Sequence, residues 1–281
     1  MFCSDRVWRL ICLCIALAVR PVTAAEHIIG AGAELDTADS NALSVFGSIA
    51  VAGETWLSAI ASRSHSDGNP VALDASYIDA GLDHHFKPLG IRLGAAYRGD
   101  PDLLESRDLR GSVYWRNDKA SLSLDYERRA FNLTFESPIT QRKRTTEFDA
   151  DGVGISASFD LTDSVRIRAS GMHYDYSRKL SLQPRVDRLR VFSLSRLGVV
   201  NSLLDEHFSG AIEYRSGSRV FDISVASWRT AVFADRVESI GIGLLTPLGS
   251  LSDIEFRVSA DESDVAGRAT LFSVFVYSYG E

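Results

Sequence analysis

Apolar and polar residues take turns along most of this chain, with a period of two. Leu89, Ile91, Leu93, Ala95 and Tyr97 alternate with Gly90, Arg92, Gly94, Ala96 and Arg98. Leu109, Gly111, Val113 and Trp115 alternate with Arg110, Ser112, Tyr114 and Arg116. Ala120, Leu122, Leu124 and Tyr126 alternate with Ser121, Ser123, Asp125 and Glu127, and Val153, Ile155, Ala157 and Phe159 with Gly154, Ser156, Ser158 and Asp160. Ile254, Phe256 and Val258 alternate with Glu255, Arg257 and Ser259, and segments around 27–36, 42–51, 207–215, 219–229 and 236–245 repeat the pattern more loosely. Successive side chains of a strand point to opposite faces, so the pattern predicts strands with one apolar and one polar face.

The links between these segments sort by length. Short turns fall at Gly53-Glu54, His85 to Leu89, Asn117-Asp118, Thr162 to Ser164, Ser216 to Ser218 and Pro247 to Ser250. Longer links fall near 36–41, 64–71, 99–107, 129–150, 177–206, 230–235 and 261–267. Six short turns alternating with seven long links predict fourteen antiparallel strands, with both chain ends on the short-turn side. Twelve strands result if two weak segments are loops. A soluble β-sandwich has no reason to sort its loops in this way. A two-residue turn at Asn117-Asp118 sets Arg110 opposite Asp125, and a three-residue turn at Thr162 to Ser164 sets Asp160 opposite Arg166 and Phe159 opposite Ile167. Both registers keep the faces consistent and bring opposite charges together.

Residues 1–25 stand apart from the pattern. Arg6 and Arg9 precede an apolar run from Leu10 to Val19, and Val22-Thr23-Ala24-Ala25 supplies small residues for cleavage. The run is too short to span a bilayer, and the arrangement predicts a cleavable export signal. All three cysteines (Cys3, Cys12 and Cys14) lie within it, so residues 26–281 hold no disulfide and no thiol chemistry. Removing the signal's three Arg and one Asp takes the net charge from −7 to −9. A dispersed acidic charge argues against nucleic acid as a partner. No later run of about 18 apolar residues predicts a membrane helix, which leaves a closed barrel as the way such a polar chain enters a membrane.

Alternating segments, an even strand number and length-sorted loops resemble those of bacterial outer-membrane β-barrels, across all of residues 26–281. The last strand adds to the resemblance. Leu271, Ser273, Phe275, Tyr277 and Tyr279 share a largely apolar, aromatic face, similar to the terminal assembly signal of such barrels, although Gly280-Glu281 extend beyond Tyr279. The resemblance implies an all-β, antiparallel up-and-down transmembrane barrel in the outer membrane. Its partners would be outer-membrane lipid, lipopolysaccharide and the barrel assembly machinery. Trp56, Phe86, Tyr97, Trp115, Tyr126, Phe159 and Tyr214 fit aromatic belts at headgroup depth on its wall.

In such a barrel the polar face is the lumen. Arg92, Arg98, Arg110, Arg116, Arg166, Arg168, Arg215 and Arg257 share it with Asp125, Glu127, Asp160, Glu213 and Glu255. Walls of opposite charge tune which solutes pass, whereas a ladder of salt bridges simply fills a narrow interior. About fourteen strands leaves both states open, with a partly occluded pore favoured. Arg142, Lys143 and Arg144 in one long link suit lipopolysaccharide phosphates. The longest link, 177–206, either folds inward as a constriction or extends a strand through Leu189 to Leu194.

Neither Asp100, Asp102 and Glu105 nor Asp261, Glu262 and Asp264 has calcium-loop spacing, so no metal is expected. Outer-membrane phospholipases carry His and Ser two residues apart; here His65-Ser66 are adjacent, point to opposite faces and read as part of a loop turn. His84 and His85 split in the same way. No catalytic residue and no cofactor is assigned. The leading function is a pore for small polar solutes or a secreted polymer such as a polysaccharide. The alternatives are a lipid-modifying hydrolase and a plugged barrel that acts through its outer loops.

Overall fold

The computed structural model describes residues 26–67, 72–100, 103–136, 143–177, 203–231, 236–263 and 267–280. They form fourteen strands: β1 (His27–Asp36), β2 (Ser40–Ala52), β3 (Thr55–Asp67), β4 (Ala72–Phe86), β5 (Leu89–Asp100), β6 (Leu104–Arg116) and β7 (Ala120–Glu136), then β8 (Lys143–Asp160), β9 (Val165–Tyr176), β10 (Leu204–Ser216), β11 (Arg219–Thr230), β12 (Arg236–Pro247), β13 (Ser252–Ser263) and β14 (Gly267–Gly280). Each strand pairs antiparallel with its sequence neighbours, and β14 pairs with β1 to close the barrel. Closure leaves no sheet edge exposed.

Large apolar residues form the outer surface. Leu93, Leu109, Val113, Leu124, Val153, Ile155, Ile223 and Ile242 are all exposed. A continuous apolar surface of this kind is far larger than soluble monomers tolerate. The inner face carries Ser, Gly, Tyr and the charged residues, so the period-two pattern is the wall itself seen from its two sides.

The six short connections all lie at one end, with both chain ends. Gly53 (φ +51°) and Gly217 (φ +60°) make the tight β2–β3 and β10–β11 turns, where a left-handed backbone favours glycine. Lys87 and Glu54, in neighbouring turns, lie 3.0 Å apart. The Lys87 ammonium holds the exposed Glu54 carboxyl below its usual range.

Four expectations require correction. Three residues, 117–119, separate β6 from β7, and Arg116 pairs with Ser121. Arg110 therefore stands opposite Glu127, and Asp125 opposite Ser112. Asn117 causes the shift, because its side-chain oxygen accepts from the backbone N–H of Lys119 (2.9 Å) and Ala120 (2.7 Å). The shift is two residues, so the faces are unchanged. The register Asp160–Arg166 and Phe159–Ile167 is as expected.

Residues 129–150 are mostly strand, because β7 runs to Glu136 and β8 begins at Lys143. There the inward positions turn apolar, with Phe131 opposite Phe148, so the polar–apolar contrast fades while the hydrogen-bond ladder continues. His65 and Ser66 likewise belong to β3 and not to a turn.

Trp56 faces inward, at the level of Asp83, whereas Phe86, Trp115, Tyr126, Phe159 and Tyr214 are exposed on the outer wall. The face Leu271 to Tyr279 also turns inward, leaving Phe272, Val274 and Val276 on the outside. Residues 1–25 and most of the 177–206 link, including Leu189 to Leu194, lie outside the described residues.

Candidate functional site

Strand alternation puts all thirteen charged positions expected on the polar face on the inner face. One local device then organises them. At several places an inward glycine on a middle strand leaves room for a long side chain to cross it to an acid two strands away. Tyr114 on β6 crosses Gly90 and donates to Asp83 at 2.5 Å. Arg110 crosses Gly94 to pair with Asp79, which also accepts from Tyr77 at 2.5 Å. Tyr174 on β9 crosses Gly152 and donates to Glu127 at 2.7 Å. Arg257 on β13 crosses Gly243 to reach Asp222 at 3.1 Å.

Each cluster then adds neighbours. Arg92 lies 3.0 Å from Asp83, its register partner, and stacks over Tyr114. His85 stacks on the same ring, and Arg98 lies over Tyr77. Arg166 grips Asp160 with two nitrogens, at 2.5 and 2.9 Å, and Arg168 reaches Glu213 at 2.6 Å. Arg257 also holds Glu255 at 3.0 Å, and Glu255 accepts from Tyr277 at 2.5 Å. Asp125 accepts from Ser123 at 2.6 Å. Arg98, Arg116 and Arg215 form no ion pair among the described residues.

The buried member is Arg129. It lies 3.0 Å from Glu127 and donates to the Tyr174 hydroxyl at 2.7 Å. Above it, toward the long-link end, Leu104, Phe131, Leu133, Phe148 and Leu203 are buried, with Phe131 and Phe148 stacked at 4.9 Å. Along β6 to β8 that end of the interior is therefore filled by apolar side chains, whereas Ser40, Ser66, Asp261 and Ser263 are buried elsewhere around it.

Below this cluster lies a cavity of about 1040 Å³. Arg92 and Arg98 border it on one side. Ser156, Ser170, Ser209 and Ser224 form the opposite wall, with Arg168 and Arg257 at its margins. The small residues of β8 to β11 keep this space open.

Sequence reading missed Asp79, Asp83, Arg129, Tyr174 and Asp222. The phase of the alternation extended through β4 and the upper part of β7 would have found the first three. The inward glycines were a visible signal too, but their crossing partners depend on register.

The remaining candidates stay apart from this site. Arg142 lies outside the described residues, Lys143 is exposed at the start of β8 and Arg144 follows it. His65 faces outward and meets Asp74 at 3.0 Å, whereas Ser66 faces inward and bonds Ser40 at 2.8 Å. His84 faces outward to Thr55 while His85 faces inward. Asp261 is buried inside, whereas Glu262 pairs outside with Arg268 at 2.8 Å. Among the described residues no cluster of His and carboxylates is arranged to hold a metal.

No family model and no curated protein matches the chain. Its fold is similar to that of the CymD monoaromatic hydrocarbon channel, with a TM-score of 0.60 at 11% identity over 90% of this chain and 88% of that one. Weaker likenesses include the KdgM porin (TM-score 0.47, 9% identity, 89% of this chain and 98% of that one). They also include a mutant of the Rhodopseudomonas blastica porin (TM-score 0.44, 11% identity, 91% and 99%). What this chain shares with CymD is the fold, a closed antiparallel barrel.

Proposed function

We propose that this chain is an outer-membrane channel for small polar solutes. Its apolar wall suits lipid, and residues 1–25 suit an export signal that directs it through the periplasm. On this reading the short-turn end faces the periplasm. Outer-membrane lipid, lipopolysaccharide and the assembly machinery are its surroundings and partners.

The observation that carries the reading is the 1040 Å³ cavity inside the wall, bordered by arginine and serine. A charged, hydroxyl-rich interior suits hydrated polar solutes and disfavours a hydrocarbon such as the one named for CymD. Arg92, Arg110, Arg166, Arg168 and Arg257 with their carboxylate partners, and Arg98 and Arg116, then shape passage. The apolar side chains at the long-link end favour a narrowed pore of low conductance.

Reconstitution in a planar bilayer tests this. Discrete conductance steps are the expected result. A correctly folded barrel that leaves the bilayer sealed would overturn the proposal.

A further inference from the structure

The chain is acidic, yet the charge that a solute meets inside differs from the charge the sequence carries. Apart from the buried Arg129–Glu127 pair, whose members are equally hidden, the arginine of each lumen ion pair is more exposed than its carboxylate. Arg92 is 53% exposed against 31% for Asp83, Arg168 50% against 14% for Glu213, and Arg110 38% against 10% for Asp79. Arg166 with Asp160, and Arg257 with Asp222 and Glu255, follow the same order.

The cause is geometric. Each carboxylate sits on a short stem at the wall and accepts from neighbours there, such as Tyr114, Tyr77 or Tyr277. Each arginine has a long stem, which carries the guanidinium over the carboxylate and into the open space. Attraction falls with distance, and water screens the deeper charge further. Five arginines border the cavity, Arg92, Arg98, Arg168 and Arg257 together with the buried Arg129, against one carboxylate, Asp125.

We infer that the lumen is anion-selective and favours small hydroxylated anions, those bearing a carboxylate or phosphate on a polyol. This rests on the channel reading. The guanidiniums supply forked donors for the anionic group. Facing them, Ser156, Ser170, Ser209 and Ser224 supply hydroxyls that both donate and accept. Ser170 and Ser209 already hydrogen-bond each other at 2.6 Å, so this wall is a connected polar surface.

Reversal potentials in a KCl gradient test the inference. A lumen potential of about +1 kT per unit charge raises chloride and lowers potassium about 2.7-fold each, a permeability ratio of about sevenfold. Combining Arg92→Gln with Arg98→Gln brings the ratio toward one. Arg168→Gln alone lowers it, whereas Glu213→Gln raises it. Heat-modifiable migration on gels verifies that each variant folds, and Arg98→Gln, which breaks no ion pair among the described residues, guards against loss of the double variant.

Gluconate and glucose 6-phosphate are expected to reduce the chloride current, and sorbitol to leave it unchanged. Block by gluconate alone identifies carboxylates as the solute class, and block by the phosphate alone identifies phosphates. A conducting but potassium-selective channel overturns the anion preference while leaving the channel intact. A larger effect of Glu213→Gln than of Arg168→Gln overturns the exposure argument. Absence of conductance overturns both proposals.

Discussion

Replacing Arg129 with Met is the sharpest test of how the interior is held. Arg129 and Glu127 are each 7% exposed and lie 3.0 Å apart. The Tyr174 hydroxyl bridges them, donating to Glu127 and accepting from Arg129, both at 2.7 Å. Removing the guanidinium leaves the Glu127 carboxylate buried without its counter-charge. Breaking a buried pair from one side costs about 3–5 kcal/mol. With a urea slope of about 2 kcal/mol per molar, the unfolding midpoint falls by about 2 M. The Arg129→Met, Glu127→Gln double variant costs less than Arg129→Met alone, because no unpaired charge remains. Tyr174→Phe removes two hydrogen bonds to charged groups and costs about 1.5–3 kcal/mol. Urea titration of the barrel in lipid vesicles, followed by tryptophan fluorescence, measures all three. An unchanged midpoint for Arg129→Met, or a double variant worse than the single, refutes the idea of a desolvated, mutually dependent cluster.

Other tests address the wall, the cavity and the turns. Leu124 faces outward between Val113 and Ile155, so Leu124→Arg costs about 2–4 kcal/mol in vesicle unfolding, more than inward Ser123→Arg. Ser209→Trp fills the cavity and lowers single-channel conductance while heat-modifiable migration is kept. Gly243→Val puts a side chain where Arg257 crosses to Asp222 and destabilises by about 1–3 kcal/mol, with loss of the Arg257–Asp222 coupling in a double-mutant cycle. Asn117→Ala removes the two side-chain hydrogen bonds that shape the β6–β7 turn and costs about 1 kcal/mol in the same urea titration.

Much of the barrel was legible because its cause is local. One side chain in two meets the apolar surroundings, so alternation marks every regular strand, and the sorting of turns by length marks the two ends. The inner position of Arg92, Arg110, Arg166 and Arg257 followed from phase alone. Legibility failed where the local contrast vanished. Phe131 and Phe148 face inward although apolar, so residues 129–150 read as a link. It failed again where one side chain set the register, as Asn117 does by widening its turn and moving Arg110 opposite Glu127.

The sequence by itself determined an even strand count near fourteen, the two faces and the identity of the charges inside, because each of these depends on neighbours along the chain. Only the tertiary structure decided which charges meet and which remain open to a solute. Arg110 finds Asp79, and Tyr174 finds Glu127, across an intervening strand and over a glycine. Such meetings depend on register and on barrel closure, which join residues far apart in sequence. Exposure is likewise a property of the closed wall: it tucks the short carboxylates in and lets the long guanidiniums stand out.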